Sequence, residues 1–426
     1  MIDLRELKER RDEIQANIEA RNMKIDLDLI IDLQERRSTL LQRAEALRAS
    51  RNENTAKMKG KLEADVRSAL IEEGKVLKDQ IADTEEELKR VEEEYLRLGR
   101  TIPNYAHPDA PLGKDESDST VLRHVGTPPT FSFKAKDHVQ LGEELDLIDF
   151  DTATRVSGAK FYYLKREAVL LQMALERYAL DITMKKGFTP FITPDIAREE
   201  ILMGIGFNPR GEESNIYTIE GMDACLVGTA EITLGGYYAG QVLDKKDLPI
   251  KMSGLSHCFR REAGASGQYS KGLYRVHQFS KLELFIYCLP EDSERYHNEI
   301  LAIEEEIFSG LGLAYRVVDT CTGDLGAPAY RKFDIEAWMP GRGESGEYGE
   351  VTSTSNCTDY QSRSLSIRYK DDDGKNQHVH MLNGTAVALS RAIVAILENN
   401  QNEDGSITIP PALVPYTGFD TIKARS

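Results

Sequence analysis

The stretch HCFRREAGASGQYSKGLYRVHQFSKLELF, residues 257–285, starts as a strand, passes through a polar loop rich in glycine and serine, and returns as a strand. Two strands joined directly in this way run antiparallel. Arg260, Arg261, Lys271 and Arg275 cluster within it beside Glu262 and Glu283. Outward from this hairpin lie short β-rich runs: VLRHV (121–125), PFIT (190–193), LFIYCL (284–289), FDIEAWM (333–339) and SLSIRY (364–369). Helical runs separate them: REAVLLQMALERYALDITMKK (166–186), RYHNEILAIEEEIFSGL (295–311) and TAVALSRAIVAILENN (385–400). Strands and helices interspersed without strict βαβ alternation predict an α+β domain with a mainly antiparallel sheet flanked by helices.

The first hundred residues follow another rule. From Asp26 to Arg100 there is no proline and only Gly60, Gly74 and Gly99. Apolar residues recur in steps of three and four, as Ile30, Leu33, Leu40, Ala44, Leu47 and then Leu77, Ile81, Leu88, Val91, Tyr95, Leu98, with Thr84 on the same seam. That period near 3.5 marks helices that bury one narrow seam against a partner. The series breaks at Lys59-Gly60-Lys61, where glycine favours a turn, so an antiparallel two-helix coiled-coil arm is expected over about 26–100. Residues 35–61 carry eight Lys/Arg against three Asp/Glu, and residues 63–98 six against twelve. Such charges are either solvated faces pairing across the hairpin or, through Arg36, Arg37, Arg43, Arg48 and Arg51, a basic surface for a phosphate backbone. Counting charges does not separate the two. Prolines after Ile102 stop the helix, which sets an N-terminal domain at 1–104, a linker at 105–130 and a second domain at 131–426.

The 426 residues leave ample chain for a large core, and no apolar run approaches a membrane span. The N-terminus MIDLRELKERRDE has no apolar leader segment, so a cytoplasmic protein is expected. Five scattered cysteines form no CxxC pair or His/Cys cluster, so neither a disulfide framework nor zinc is expected. A net charge of −17 argues against general adhesion to nucleic acid while leaving room for a local basic surface. Gly341, Gly343 and Gly346 satisfy GxGxxG, but strand-like residues follow them where a dinucleotide site needs a helix, so they read as a hairpin turn.

Phe-Arg-x-Glu followed by a long loop and Arg-x-His-Gln-Phe is a specific string, and here the sequence resembles the class II aminoacyl-tRNA synthetases, and within them the seryl-tRNA synthetases of bacterial or organellar type. The family's motif 1 corresponds to Gly187-Phe188-Thr189-Pro190-Phe191-Ile192-Thr193-Pro194, motif 2 to residues 257–285, and motif 3 to Leu382-Asn383-Gly384-Thr385 running on to Ser390-Arg391. The Thr-x-Glu signature of serine binding matches Thr229-Ala230-Glu231. The resemblance covers essentially the whole chain and implies a class II catalytic domain that activates serine with ATP.

It also implies roles. Such a reaction brings a carboxylate to the α-phosphorus of ATP, two anions whose charge must be neutralised. Arg260, Arg391 and Glu350 would be catalytic, with Arg260 on the α-phosphate and the serine carboxylate and Arg391 on the γ-phosphate. Arg261, Glu262, Val276, Phe279, Glu350, Val351, Thr352 and Ser353 complete the implied ATP site, with Glu262 on the adenine amino group and Phe279 stacked on the ring. Glu350 and Ser353 would hold Mg²⁺. Serine would be read by Thr229, Ala230, Glu231, Arg260, Glu283, Asn383 and Thr385, because buried polar groups penalise an analogue without the hydroxyl. Two positions depart from the family pattern: Gly228 where proline is usual before Thr-x-Glu, and Thr385 where serine is more frequent. Implied partners are ATP, L-serine, tRNA(Ser), with tRNA(Sec) as a second acceptor, and a second copy of the chain in a homodimer whose arm reaches tRNA held mainly by the other subunit. Only about 35 residues follow Arg391, fewer than the anticodon-binding domain of the threonyl and prolyl relatives needs. The rival expectations are a relative that loads a carrier protein, disfavoured by the arm, and a catalytically dead binding protein, disfavoured by Arg260 and Arg391.

Overall fold

A computed structural model describes residues 1–207, 215–263 and 270–425. The chain divides into two compact units, Met1–Pro103 and Asn104–Ser426. The first is helical, with α1 (Arg11–Ala20), α2 (Leu27–Lys57) and α3 (Ala64–Gly99). Asp26 caps α2 by accepting from the Leu29 amide, which fixes the start anticipated from the sequence. Ile30, Leu40 and Ala44 of α2 are buried, as are Leu77, Ile81, Thr84, Val91 and Tyr95 of α3. The two helices pack along this seam. Towards the tip the seam turns polar: Asn54 is buried and its Nδ2 donates to Glu73 Oε2 at 2.7 Å.

The second unit is built on eight strands: β1 (Thr120–Val125), β2 (Thr189–Ile192), β3 (Ile250–Phe259), β4 (Gln278–Cys288), β5 (Tyr315–Asp319), β6 (Arg331–Met339), β7 (Glu347–Asn356) and β8 (His380–Ala388). Their order across the sheet is β1-β5-β6-β7-β8-β4-β3-β2. Every pairing is antiparallel except β2 with β3, so this unit is α+β with a mainly antiparallel sheet. Six helices matter to the site: α4 (His138–Glu144), α5 (Glu167–Lys185), α6 (Ala230–Gly235), α7 (Ser293–Gly310), α8 (Tyr360–Leu365) and α9 (Leu389–Asn399).

Alternation along β4 divides the core. Leu282, Leu284 and Ile286 join Leu171 and Leu175 of α5, Ile300 and Ile307 of α7 and Ile393 of α9. Phe285 and Tyr287 belong to a second cluster, with Ile232 and Leu234 of α6 and Leu365 of α8. One face of the sheet is thus filled by three long helices. The other carries short elements and leaves space for side chains from the strands themselves.

Three expectations need correction. The stretch 105–130 is not all linker: VLRHV within it, read as a β-rich run, is indeed strand β1, paired with β5 as the edge strand. The first four residues of TAVALSRAIVAILENN belong to β8, and the helix begins only at Leu389. A run buried on every side carries no periodicity that separates strand from helix. In SLSIRY only Arg368 and Tyr369 are strand, the start of Arg368–Lys370, because Ser364 and Leu365 close α8. The glycine-rich stretch 341–346 turns between β6 and β7, as expected.

Candidate active site

Strand pleating normally sends alternate residues to opposite faces. On β7 that rule would place Glu350 with Thr352 and Thr354 on the helix side. The β6–β7 register shifts here: Ile335 faces Thr352, but Glu336 faces Glu350, leaving Val351 as an extra residue. This β-bulge re-aims the strand. Val351 packs into the core, and Thr352 Oγ1 donates to Glu304 Oε2 of α7 at 3.0 Å. Glu350 and Ser353 then line a cleft with Arg260, Glu262, Tyr274, Val276, Phe279 and Arg391. Val351 and Thr352, expected in the nucleotide site, therefore present main chain to it.

The cleft is rich in positive charge. Arg260, just past β3, stacks its guanidinium over Phe279 of β4 at 5.3 Å, and its Nε donates to the Gly228 carbonyl at 3.4 Å. Arg391, in the first turn of α9, lies over the Tyr274 ring at 4.7 Å and donates from Nη1 to the Glu350 carbonyl at 3.0 Å. Its Nη1 is also 3.3 Å from Glu350 Oε1. Burial opposes ionisation of Glu350, yet Arg391, Lys332 and Arg260 outweigh it and hold the carboxyl below its ordinary value. Glu262 has a left-handed backbone (φ 51°) and pairs with Arg275 Nη1 at 2.7 Å. Arg261 does not join the cleft: it is exposed, and its amide donates to the Asn215 carbonyl. The tip of motif 2, residues 264–269, lies outside the described residues.

Behind Arg260 the sheet holds a buried polar pocket. Thr229 caps α6, its Oγ1 accepting from the Glu231 amide at 3.2 Å, and Ala230 is fully buried. Glu231 Oε1 accepts from Gln361 Nε2 of α8 at 2.8 Å and from Asn383 Nδ2 of β8 at 3.0 Å. Burial, reinforced by the charge of Glu283, pushes the Glu231 carboxyl up to about 7. Glu283 in turn pairs with Lys281 Nζ at 2.5 Å and accepts from Thr385 Oγ1 at 3.3 Å. A second register shift, between Thr385 and Val387, sets Thr385 opposite Glu283 and Ala388 opposite Lys281. Sequence reasoning missed Lys281 and Gln361. The alternation Lys281, Glu283, Phe285 along an apolar strand was the available signal for Lys281; Gln361 sits on a short helix in a stretch with no motif.

The arm carries the other candidate surface. Arg36 pairs with Glu87, Arg37 with Glu92 at 2.7 Å, and Arg48 with Glu85 at 2.7 Å, each across the hairpin. Arg43 and Arg51 are exposed.

An antiparallel sheet presenting paired arginines from a strand hairpin and from the helix after the last strand defines a class II aminoacyl-tRNA synthetase core. Residues 217–400 match the family model of the tRNA synthetase class II core domain (G, H, P, S and T), and residues 1–106 that of the seryl-tRNA synthetase N-terminal domain. The chain is 60% identical to a serine–tRNA ligase of Treponema denticola over 99% of this chain and all of the relative. It is 55% identical to one from Borreliella afzelii, end to end. Its structure resembles seryl-tRNA synthetase from Pyrococcus horikoshii complexed with ATP, with a TM-score of 0.88, 39% identity and full coverage of both chains. The chain belongs to the seryl-tRNA synthetase family.

Beneath the cleft, Glu304 is fully buried, and burial first, then the negative charges of Glu283 and Asp334, push its carboxyl well above the ordinary 4.5. It is protonated when folded and ionised when unfolded above that pH, so folding takes up a proton and stability falls as pH rises. Glu304→Gln, uncharged throughout, should match the parent near pH 4.5 and gain on it as the pH rises above that, by at most about 1.4 kcal/mol per pH unit. Denaturant unfolding between pH 4.5 and 8 measures the difference; one that does not vary with pH would mean that Glu304 is ionised in the fold.

Proposed function

We propose that this chain activates L-serine with ATP to seryl-adenylate and pyrophosphate, then passes the seryl group to tRNA(Ser) with release of AMP. The observation that supports this most is one continuous site: a cleft bearing Arg260, Glu350 and Arg391 in front of a buried Glu231–Glu283–Lys281 pocket. ATP fits the cleft, with Phe279 under the base, Glu262 at its amino group and Arg391 at the far phosphates. Arg260, between cleft and pocket, bridges the α-phosphate and the serine carboxylate and offsets the repulsion of the two anions. Glu350 and Ser353 are hard oxygen donors brought to one face by the bulge, and the Glu350 carboxylate is held ionised. Two such ligands suit Mg²⁺, which keeps most of its shell for phosphate and water and would supply further neutralisation of the phosphates.

Serine enters the buried pocket with its ammonium against Glu231 and its hydroxyl among Glu283, Lys281 and Thr385. Alanine would leave that hydrogen-bonding group unpaired, which is how such a pocket discriminates. Two copies form the working unit: Leu170 and Met173 of α5 and Ile192 of β2 are 46%, 59% and 89% exposed, apolar side chains of the kind an interface covers. The arm binds the tRNA backbone. Arg43 and Arg51 are free to reach phosphates, and the exposed cross-hairpin pairs are weak enough to exchange partners. The intact arm disfavours a carrier-protein loader, and the placement of both cleft arginines disfavours a dead relative.

Amino-acid-dependent ATP–pyrophosphate exchange tests the assignment. Serine should support exchange, threonine, alanine, glycine and cysteine far less, and Arg260→Ala should abolish it; parental turnover in that variant would refute the assignment. Since burial and Glu283 push the Glu231 carboxyl up to about 7, serine binding below that pH must expel a proton. The KM for serine should therefore rise by up to about tenfold per pH unit below about 7 and level off above it. A flat KM from pH 6 to 8 would remove the ammonium from Glu231. Reversing Arg43 and Arg51 to glutamate should raise the KM for tRNA by at least about tenfold, since each phosphate contact carries much of such affinity. Exchange should stay at the parental rate, and loss of both steps together would make the arm a structural element only.

A further inference from the structure

Glu398 lies two turns after Arg391 on α9, and His138 is the first residue of α4; neither side chain has any exposed surface. His138 Nδ1 is 2.7 Å from Glu398 Oε1, and the His138 amide donates to the same oxygen at 3.0 Å. Glu398 Oε2 accepts from the Gly341 amide, in the β6–β7 turn, at 2.8 Å. On the other side of the ring, His138 Nε2 accepts from the Leu273 amide at 3.1 Å. A main-chain amide can only donate, so Nε2 carries the lone pair and the ring proton sits on Nδ1, facing the carboxylate. The arrangement has the orientation logic of a carboxylate–imidazole dyad, with a backbone amide where a nucleophile would stand.

That amide belongs to the turn Gly272–Tyr274 on the returning limb of motif 2. Tyr274 follows directly. Its ring carries the Arg391 guanidinium, its carbonyl accepts from Arg391 Nε at 3.4 Å, and its hydroxyl donates to the Glu350 carbonyl at 3.1 Å. The ring also fits tightly against the turn, since a Cβ at Gly272 (φ 55°) would stand 2.2 Å from His138 Nε2. We propose that His138 and Glu398 are positioning residues for the nucleotide: their buried contact fixes the Leu273 amide, hence Tyr274, hence the direction in which Arg391 and the Glu350 strand face the phosphates. Four segments meet at this pair (α4, the motif 2 return, the β6–β7 turn and α9), and its hydrogen bonds among the described residues do not run to the serine pocket. Its loss should therefore be felt by ATP and not by serine.

The assignment of Arg391 to the phosphates is presupposed here, so the experiment includes Arg391→Gln. In pyrophosphate exchange, His138→Leu should raise the KM for ATP about tenfold while the KM for serine stays within about twofold, as expected for lost alignment of one substrate. His138→Gln can accept from Leu273 and donate to Glu398, and should return the KM for ATP to within about threefold of the parent. If His138→Leu does not fold, Gly272→Ala perturbs the same contact from the turn and should give the same ATP-specific defect. Equal rises in both KM values, or no better performance by glutamine than by leucine, would reduce the pair to a structural element. Should Arg391→Gln leave the KM for ATP unchanged, the site assignment fails; should it raise that KM while His138→Leu and Gly272→Ala do not, only the present inference fails.

Discussion

A pleated strand offers one face every second residue, and this site asks more of β7 than that rule allows. Glu350 and Ser353 must both face the cleft, while Thr352 and Thr354 anchor the strand to α7 beneath. The extra residue at Val351 resolves the conflict, moving the alternation by one so that both demands are met. The shift after Thr385 on β8 does the same for the pocket, keeping Thr385 opposite Glu283 while the strand runs on into α9. Gly384, between these points, leaves the room this needs: a Cβ there would lie 2.3 Å from Ile300 and 2.6 Å from Glu304. With the two irregularities in place, one sheet delivers Arg260, Glu283, Glu350, Asn383 and Thr385 to a common side.

The electrostatics follow from that crowding. Glu231, Glu283 and Glu304 are buried within one region, where three ionised carboxylates would repel strongly. Each is handled differently. Lys281 neutralises Glu283 directly, Glu304 keeps its proton, and Glu231 is poised near neutrality by burial and by Glu283. The pocket is thus balanced except at the one carboxyl that a cationic ligand would complete. Glu350, nearer solvent and facing Arg391, is driven the other way and stays ionised. Environment, rather than residue type, separates these glutamates into their roles.

Much of this was legible in the sequence, and the illegible part has a physical explanation. The arm was readable because a seam of period 3.5 is a one-dimensional signal, and Ile30, Leu40, Ile81 and Val91 are buried where it placed them. The charged residues of the cleft were readable because Phe-Arg-x-Glu and the motif 3 arginine are strings in the chain. A bulge is not such a string; it is a property of register between strands far apart, so nothing in the chain foretold that Val351 and Thr352 would line the cleft while sending their side chains to the core. Lys281 and Gln361 were missed for a related reason, because their significance lies in Glu283 and Glu231 standing beside them after folding. The start of α9 was displaced because β8 is buried on both faces and shows no alternation. For the arm arginines, charge counting left two readings open, and the ion pairs of Arg36, Arg37 and Arg48 account for three of the five.

The two departures from the family pattern are best judged by what they leave in place. Thr385 adds a methyl to the serine more often found there, yet its hydroxyl donates to Glu283 and lies 3.4 Å from Lys281 Nζ. The hydrogen-bonding function is therefore retained, and the methyl can only narrow the pocket. Gly228 contributes its carbonyl to Arg260, a group that every residue type carries. A Cβ at that position would meet nothing closer than 3.5 Å, so packing does not demand glycine. Neither change removes a charge or shifts a strand. What the site cannot spare is the pair of register shifts and the balanced carboxyls they bring together; Gly228 lies outside both, and Thr385, which borders the second shift, keeps its place opposite Glu283 and its hydrogen bond to it.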